Sequence, residues 1–102
     1  MSNKKFMRVV DGEELDRMAA RFRMLGEPMR LKILQAVCKV PRSVNGIVAA
    51  TGSTQANVSK HLALLAAAGI LTRKKDGQCV YYAMKDRLVV KLCELMHSQP
   101  AD

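Results

Sequence analysis

One stretch, ILTRKKDGQCVYYAMK at residues 70–85, constrains this chain more than any other. On either side of it apolar residues recur every three or four positions, which is the spacing of helices. Here the pattern changes. Ile70 and Leu71 precede, and Val80, Tyr81 and Tyr82 follow, the pair Asp76-Gly77. Branched and aromatic residues favour strands. Asp-Gly between two such runs is a strong two-residue hairpin signal. The stretch therefore predicts one small β-hairpin with a basic tip, Arg73, Lys74 and Lys75, set into a helical chain.

The flanking helices can be read from stripes and caps. EELDRMAARFRML (13–25) aligns Leu15, Met18, Ala19, Phe22 and Leu25, and its first-turn acids suit the helix dipole. Gly26 ends it. Pro28 fits the first position of a second helix, PMRLKILQAVC, which aligns Leu31, Leu34, Val37 and Cys38 before Pro41 stops it. SVNGIVAATG (43–52) reads as a short third helix, with Ser43 as cap, Val44, Ile47 and Val48 as core contacts and Gly52 as the turn. Thr54 caps a fourth helix running to about Ala67, and Gly69 closes it. A last helix, DRLVVKLCELMH, begins near Asp86. Two helices joined by a tight Gly turn form a helix-turn-helix. With a hairpin directly after it, the predicted fold is mainly α with a small β-hairpin, a winged helix-turn-helix. The expected organisation is a flexible segment 1–10, a single domain 11–98 and a frayed tail 99–102.

The fourth helix opens TQANVSKHL (54–62), and its polar face is unusual. Val58, Leu62 and Leu65 supply the apolar stripe. Around them stand Thr54, Gln55, Asn57, Ser59, Lys60 and His61 rather than the Glu and Lys of a merely solvated face. In a helix-turn-helix the second helix enters the major groove with its N-terminal residues at base edges. Gln and Asn pair with adenine; Ser, Thr, Lys and His donate to bases or phosphates. Arg73, Lys74, Lys75 and Gln78 of the wing would follow the DNA backbone or minor groove. Charge agrees. The chain has a net +8, and residues 42–85 carry six basic residues against one acid, Asp76. The acids cluster in DGEELD at 11–16. Such a basic half favours a polyanionic partner.

Other classes find little support. There is no GxSxG, Walker loop or HExxH, aromatics make up 4% and Trp is absent, so neither an enzyme nor a cofactor is expected. A protein- or RNA-binding winged helix would not need base-reading groups on its fourth helix. No apolar run could cross a bilayer, and MSNKKFMRVV does not resemble a signal peptide, so a soluble cytoplasmic protein is expected. Cys38, Cys79 and Cys93 are odd in number and form no CxxC, which points to free thiols. The first and last helices carry wide apolar stripes: Leu15, Met18 and Phe22 on one; Leu88, Leu92, Leu95 and Met96 on the other. Either they cover the core, or a second copy covers them; the second is expected in so small a domain. A two-fold pair would space two recognition helices for successive major grooves.

LGEPMRLKILQAV, SVNGIVAATGSTQANVSKHLALLAAAGIL and TRKKDGQCVYYAMK closely resemble the ArsR-type family of bacterial winged-helix repressors over about residues 15–97. The resemblance implies a homodimer that binds an inverted-repeat operator on double-stranded DNA. It also implies release when a metal, a metalloid or a reactive sulfur or oxidant species alters the dimer. The family's metal motifs do not carry over. The cysteine pair of ELCVCDL is replaced by SVNGIVAA, the last helix has Leu88 where a His ligand belongs, and no N-terminal cysteine is present. No metal site is assigned. A thiol-sensing branch uses one cysteine on the second helix and one on the last; Cys38 and Cys93 lie on those helices, shifted from that pattern. They are either a sensing pair or two apolar core residues. Arg30 has two readings, an internal salt bridge or a phosphate contact, and His97 reads as a favourable charge at a helix end. The inducer is not identified. A repressor with no direct small-molecule sensing, governed by a protein partner or its own level, stays open.

Overall fold

The computed structural model describes residues 10–98. The expected flexible segment, apart from Val10, and the expected frayed tail lie outside the described residues. Five helices and three strands run in the order α1 (Gly12–Leu25), α2 (Pro28–Val37), β1 (Arg42–Ser43), α3 (Val44–Thr51), α4 (Gln55–Ala67), β2 (Leu71–Asp76), β3 (Cys79–Met84) and α5 (Arg87–His97). This is a winged helix-turn-helix.

Local chemistry sets the boundaries. Asp11, Glu27, Ser43, Thr54 and Asp86 each accept a backbone N–H at the start of a helix, which satisfies donors that would otherwise be orphaned. Pro28 stands in the first turn of α2. The end of α4 is a paired closure. Gly69 has φ +77°; its N–H reaches the Ala66 carbonyl at 3.0 Å, and the Ile70 N–H reaches the Leu65 carbonyl at 3.0 Å. Ile70 and Leu65 are both buried, so the hydrophobic contact that accompanies this motif is present. Gly52 likewise ends α3 in the left-handed region, with φ 72°.

The core joins α2, α3, α4 and the base of the wing through Ile33, Leu34, Val37, Ile47, Val58, Leu62, Leu65, Ile70, Leu71, Tyr82 and Val89. α1 buries nothing and α5 buries Val89 alone. Two stripe expectations need correction on α2. Leu31 is exposed and Ile33 is buried in its place. The helix ends at Val37; Cys38, its cap, keeps helical dihedrals but lies on the surface rather than in the core.

Among the described residues the sheet has three strands rather than two, in the order β1-β3-β2, all antiparallel. The extra strand pairs Arg42 with Tyr82 and Ser43 with Tyr81. Its position is fixed from both ends: the Arg42 Nε donates to the Ala36 carbonyl in the last turn of α2 at 2.6 Å, and Ser43 caps α3. The hairpin also turns one residue later than Asp76-Gly77. Asp76 pairs with Cys79, leaving Gly77 and Gln78 as the loop. Only Gly77, at φ 64°, has a positive φ, the pattern of a type II′ turn, whose twist suits the flanking strands.

Candidate nucleic-acid interface

The N-terminal turns of α4 separate the six residues expected to read DNA. Thr54 is exposed, but its hydroxyl accepts the Asn57 N–H at 3.1 Å. The Asn57 side chain is half-buried and donates to the Ser53 hydroxyl at 2.9 Å. These two groups hold the start of the helix. Gln55, Ser59 and Lys60 are exposed and make no side-chain hydrogen bond among the described residues. They form the free polar edge of α4, with Ala56 and Ala63 exposed beside them. A small apolar side chain can meet the methyl group of thymine; residue type gave no hint of these two alanines.

His61 does not belong to that edge. It is 6% exposed, on the inner face of α4 between Val58 and Leu62. Its expected contact with DNA is corrected: the i, i+3, i+4, i+7 set Val58, His61, Leu62 and Leu65 faces the core. Its neighbour is Arg30, whose NH1 lies 3.3 Å from Nδ1. The salt-bridge reading of Arg30 does not hold. No carboxylate forms a salt bridge with it among the described residues. Instead its guanidinium donates to the Met24 and Arg23 carbonyls at 2.6 and 3.3 Å.

On the wing, Arg73, Lys74, Lys75 and Gln78 are all exposed. Alternation divides the cations. Arg73 pairs with Tyr82 and Lys75 with Val80 on one face; Lys74 pairs with Tyr81 on the other. Charge on Cys79, and a hydrogen bond with it, push the Tyr81 phenol up, so the exposed Cys79 and the half-buried Tyr81 adjoin.

The remaining polar groups lie apart from this edge. Cys38 is exposed and its thiol donates to the Gln35 carbonyl at 3.3 Å. Cys93 is half-buried against the core. Burial, then the charge of Cys38, push the Cys93 thiol up. The core reading therefore suits Cys93 and not Cys38. Among the described residues no cluster of three His, Cys, Asp or Glu could hold a metal, and no helix is long and apolar enough to cross a membrane. Of the residues expected at a dimer interface, Leu15, Phe22, Leu88, Leu95 and Met96 are 44–73% exposed, and Met18 and Leu92 are half-buried.

Residues 27–73, from the cap of α2 to the start of the wing, match the model of the bacterial regulatory protein, arsR family. The probable mercury resistance operon repressor of Streptomyces lividans is 34% identical over 87 residues, which span 85% of this chain and 70% of that protein. The chain belongs to the ArsR family. It is thus one of a family of transcriptional regulators, not enzymes. Among solved structures, NolR from Sinorhizobium fredii superposes with a TM-score of 0.79 at 26% identity, covering 88% of this chain and 93% of that one. A homodimeric winged helix-turn-helix DNA-binding domain from Mycobacterium bovis does so with a TM-score of 0.75 at 26% identity, covering 90% and 87%. Further curated relatives are longer, and the chain covers 56% and 55% of two of them.

Proposed function

We propose that this ArsR-family chain is a homodimeric, sequence-specific repressor that holds an inverted-repeat DNA operator in the cytoplasm and releases it when an inducer alters the dimer. The carrying observation is the free polar edge of α4. Gln55, Ser59 and Lys60 are exposed and uncommitted while Thr54 and Asn57 secure the helix start behind them. An amide, a hydroxyl and an ammonium on one edge suit base edges and phosphates. The wing cations Arg73, Lys74 and Lys75 add sequence-independent attraction. The exposed apolar side chains of α1 and α5, Phe22 and Leu95 among them, suit a second copy, and the homodimeric relative supports that assembly.

Cys38 and Cys93 are the residues through which a persulfide or an oxidant would act. The exposed Cys38 is the attacking thiol and Cys93 its neighbour. The test is fluorescence anisotropy on the gene's own upstream DNA, reduced and then treated with persulfide or oxidant, with Cys38→Ser as control. Tight binding that weakens on treatment and is protected by Cys38→Ser is the expected result. Binding indifferent to treatment transfers control to a protein partner or to the repressor's own level. No preference over random duplex refutes operator recognition. Sedimentation of the same protein should give a dimer that Phe22→Glu dissociates.

A further inference from the structure

His61 is the one buried polar side chain among the described residues, and it takes no part in the DNA-reading edge. Its partner settles its chemistry. A guanidinium only donates hydrogen bonds, so the Nδ1 atom 3.3 Å from Arg30 NH1 must present its lone pair. The ring proton then resides on Nε2. The same guanidinium donates from Nε to the Met24 carbonyl at 2.6 Å and from NH2 to the Arg23 carbonyl at 3.3 Å. These carbonyls belong to the last turn of α1, where acceptors lack partners within the helix. One planar fork on α2 thereby ties the end of α1 to the inner face of α4. We propose that Arg30 and His61 are positioning residues that lock the recognition helix to α1, and that the lock needs a neutral His61. This rests on the reading of α4 as the DNA-reading helix.

The surroundings of the ring decide what a proton would do. On α2 and its cap, His61 faces Arg30 and Glu27. Glu27 Oε1 accepts the Arg30 backbone N–H at 3.0 Å, and that hydrogen bond holds the Glu27 carboxyl below the usual carboxylate range. From α1 the charged neighbour is Arg23, whose own side chain is on an exposed residue. α3 carries no titratable side chain. β2 turns Leu71 inward and leaves Arg73, Lys74 and Lys75 outside. On α4 itself Lys60 points to solvent.

A proton on Nδ1 would change an acceptor into a donor aimed at a guanidinium. Arg30 NH1 would lose its acceptor, and two cations would face each other in a half-buried site. The carboxylate near the ring is Glu27, which already caps α2. An imidazolium that turned to it would compete with that cap. Either rearrangement loosens α4 from α1. Acidification that protonates the ring should therefore open the lock. The predicted sign is unusual. Acidification makes the protein more positive, which by itself strengthens attachment to DNA; opening of the lock weakens it.

The experiment measures operator affinity of the full chain by anisotropy at pH 8 and pH 5.5, at one ionic strength. A His97→Gln background leaves His61 as the only histidine. Affinity should fall roughly tenfold at pH 5.5, the scale of one broken charge-assisted hydrogen bond, with helix content by circular dichroism unchanged. In His61→Gln the amide oxygen can still accept from Arg30 and does not titrate, so affinity should vary by less than about twofold. Unchanged or tighter binding at pH 5.5 overturns the proposal, as does a drop that survives His61→Gln. Should His61→Gln not fold, nitrogen-15 NMR of the wild-type ring decides. A proton on Nε2 at pH 8, with α4 amide signals that move as the ring titrates, supports the lock; a proton on Nδ1 overturns it. Failure to prefer operator over random DNA at either pH refutes the functional reading instead, and the ring spectrum still reports on the lock.

Discussion

Gln55→Ala isolates sequence reading from every other contribution to binding. Gln55 is the first residue of α4, is exposed, and lies next to the capping residue without serving as cap. Alanine is a better helix former than glutamine, so folding stability should not fall. Glutamine is uncharged, so the counterion-release part of DNA affinity is untouched. A good amide–base pair discriminates by about 1–3 kcal/mol. The proposed two-fold dimer would place two copies of the residue on one operator, so the loss should be at least about 2 kcal/mol, roughly thirtyfold. The assay is an anisotropy titration on operator and on random duplex of equal length, each repeated across a salt series. The expected outcome is a roughly thirtyfold loss on operator alone, with the salt slope unchanged on both. Lys60→Ala is the contrast. If Lys60 neutralises a phosphate, both duplexes weaken and the slope falls by about 0.9 for each phosphate left without its lysine. Equal weakening of the two duplexes by Gln55→Ala, or no weakening of either, would refute the assignment of this edge to base reading.

Gly69 and Asp86 each give a prediction about stability. Gly69→Ala places a side chain at φ +77° with no atom within 4 Å of the new Cβ. The loss is therefore backbone strain alone, about 1–2 kcal/mol, visible as a lower urea midpoint with the m-value unchanged. Asp86 caps α5 and forms a salt bridge with Arg21 of α1. Burial pushes its carboxyl up, but the hydrogen bonds from Arg21 and from the Leu88 N–H outweigh burial and leave it below its ordinary value. A depressed carboxyl stabilises the fold above the unfolded value and loses that contribution as pH falls through the folded one. Asp86→Asn should thus melt below wild type at pH 7, with the gap closing under acid; a gap that persists at pH 2 contradicts this.

Most of the architecture is legible in the sequence because its signals are local. Caps at Ser43, Thr54 and Asp86, the Pro28 start and the Gly69 stop each act within a few residues of themselves. What escapes is longer in range. β1 is two residues long and has no periodicity to detect; it exists because β3 passes beside it. Asp76-Gly77 and Gly77-Gln78 are both acceptable loops, since each puts Gly77 where a positive φ is needed, and only the cross-strand pair Asp76–Cys79 chooses between them. His61 stands at i+3 from Val58, so spacing alone places it inside. Its residue type suits a phosphate equally well, and only the Arg30 fork across the helix interface explains why an imidazole is retained in a core. Cys38 follows the buried Leu34 by four residues and keeps helical dihedrals, so spacing places it inside, yet it stands one residue past the helix end and is exposed.

Among the described residues the strand order β1-β3-β2 leaves β2 as an open edge six residues long. An open edge carries unpaired N–H and C=O groups that can template another chain, and lysine on it is a common safeguard. Here Arg73, Lys74 and Lys75 occupy that edge. The cations proposed to meet DNA are thus also suited to discourage neighbouring wings from zipping together. A wing neutralised to weaken DNA binding would become prone to aggregate, and selection on this strand answers to colloidal behaviour as well as to recognition.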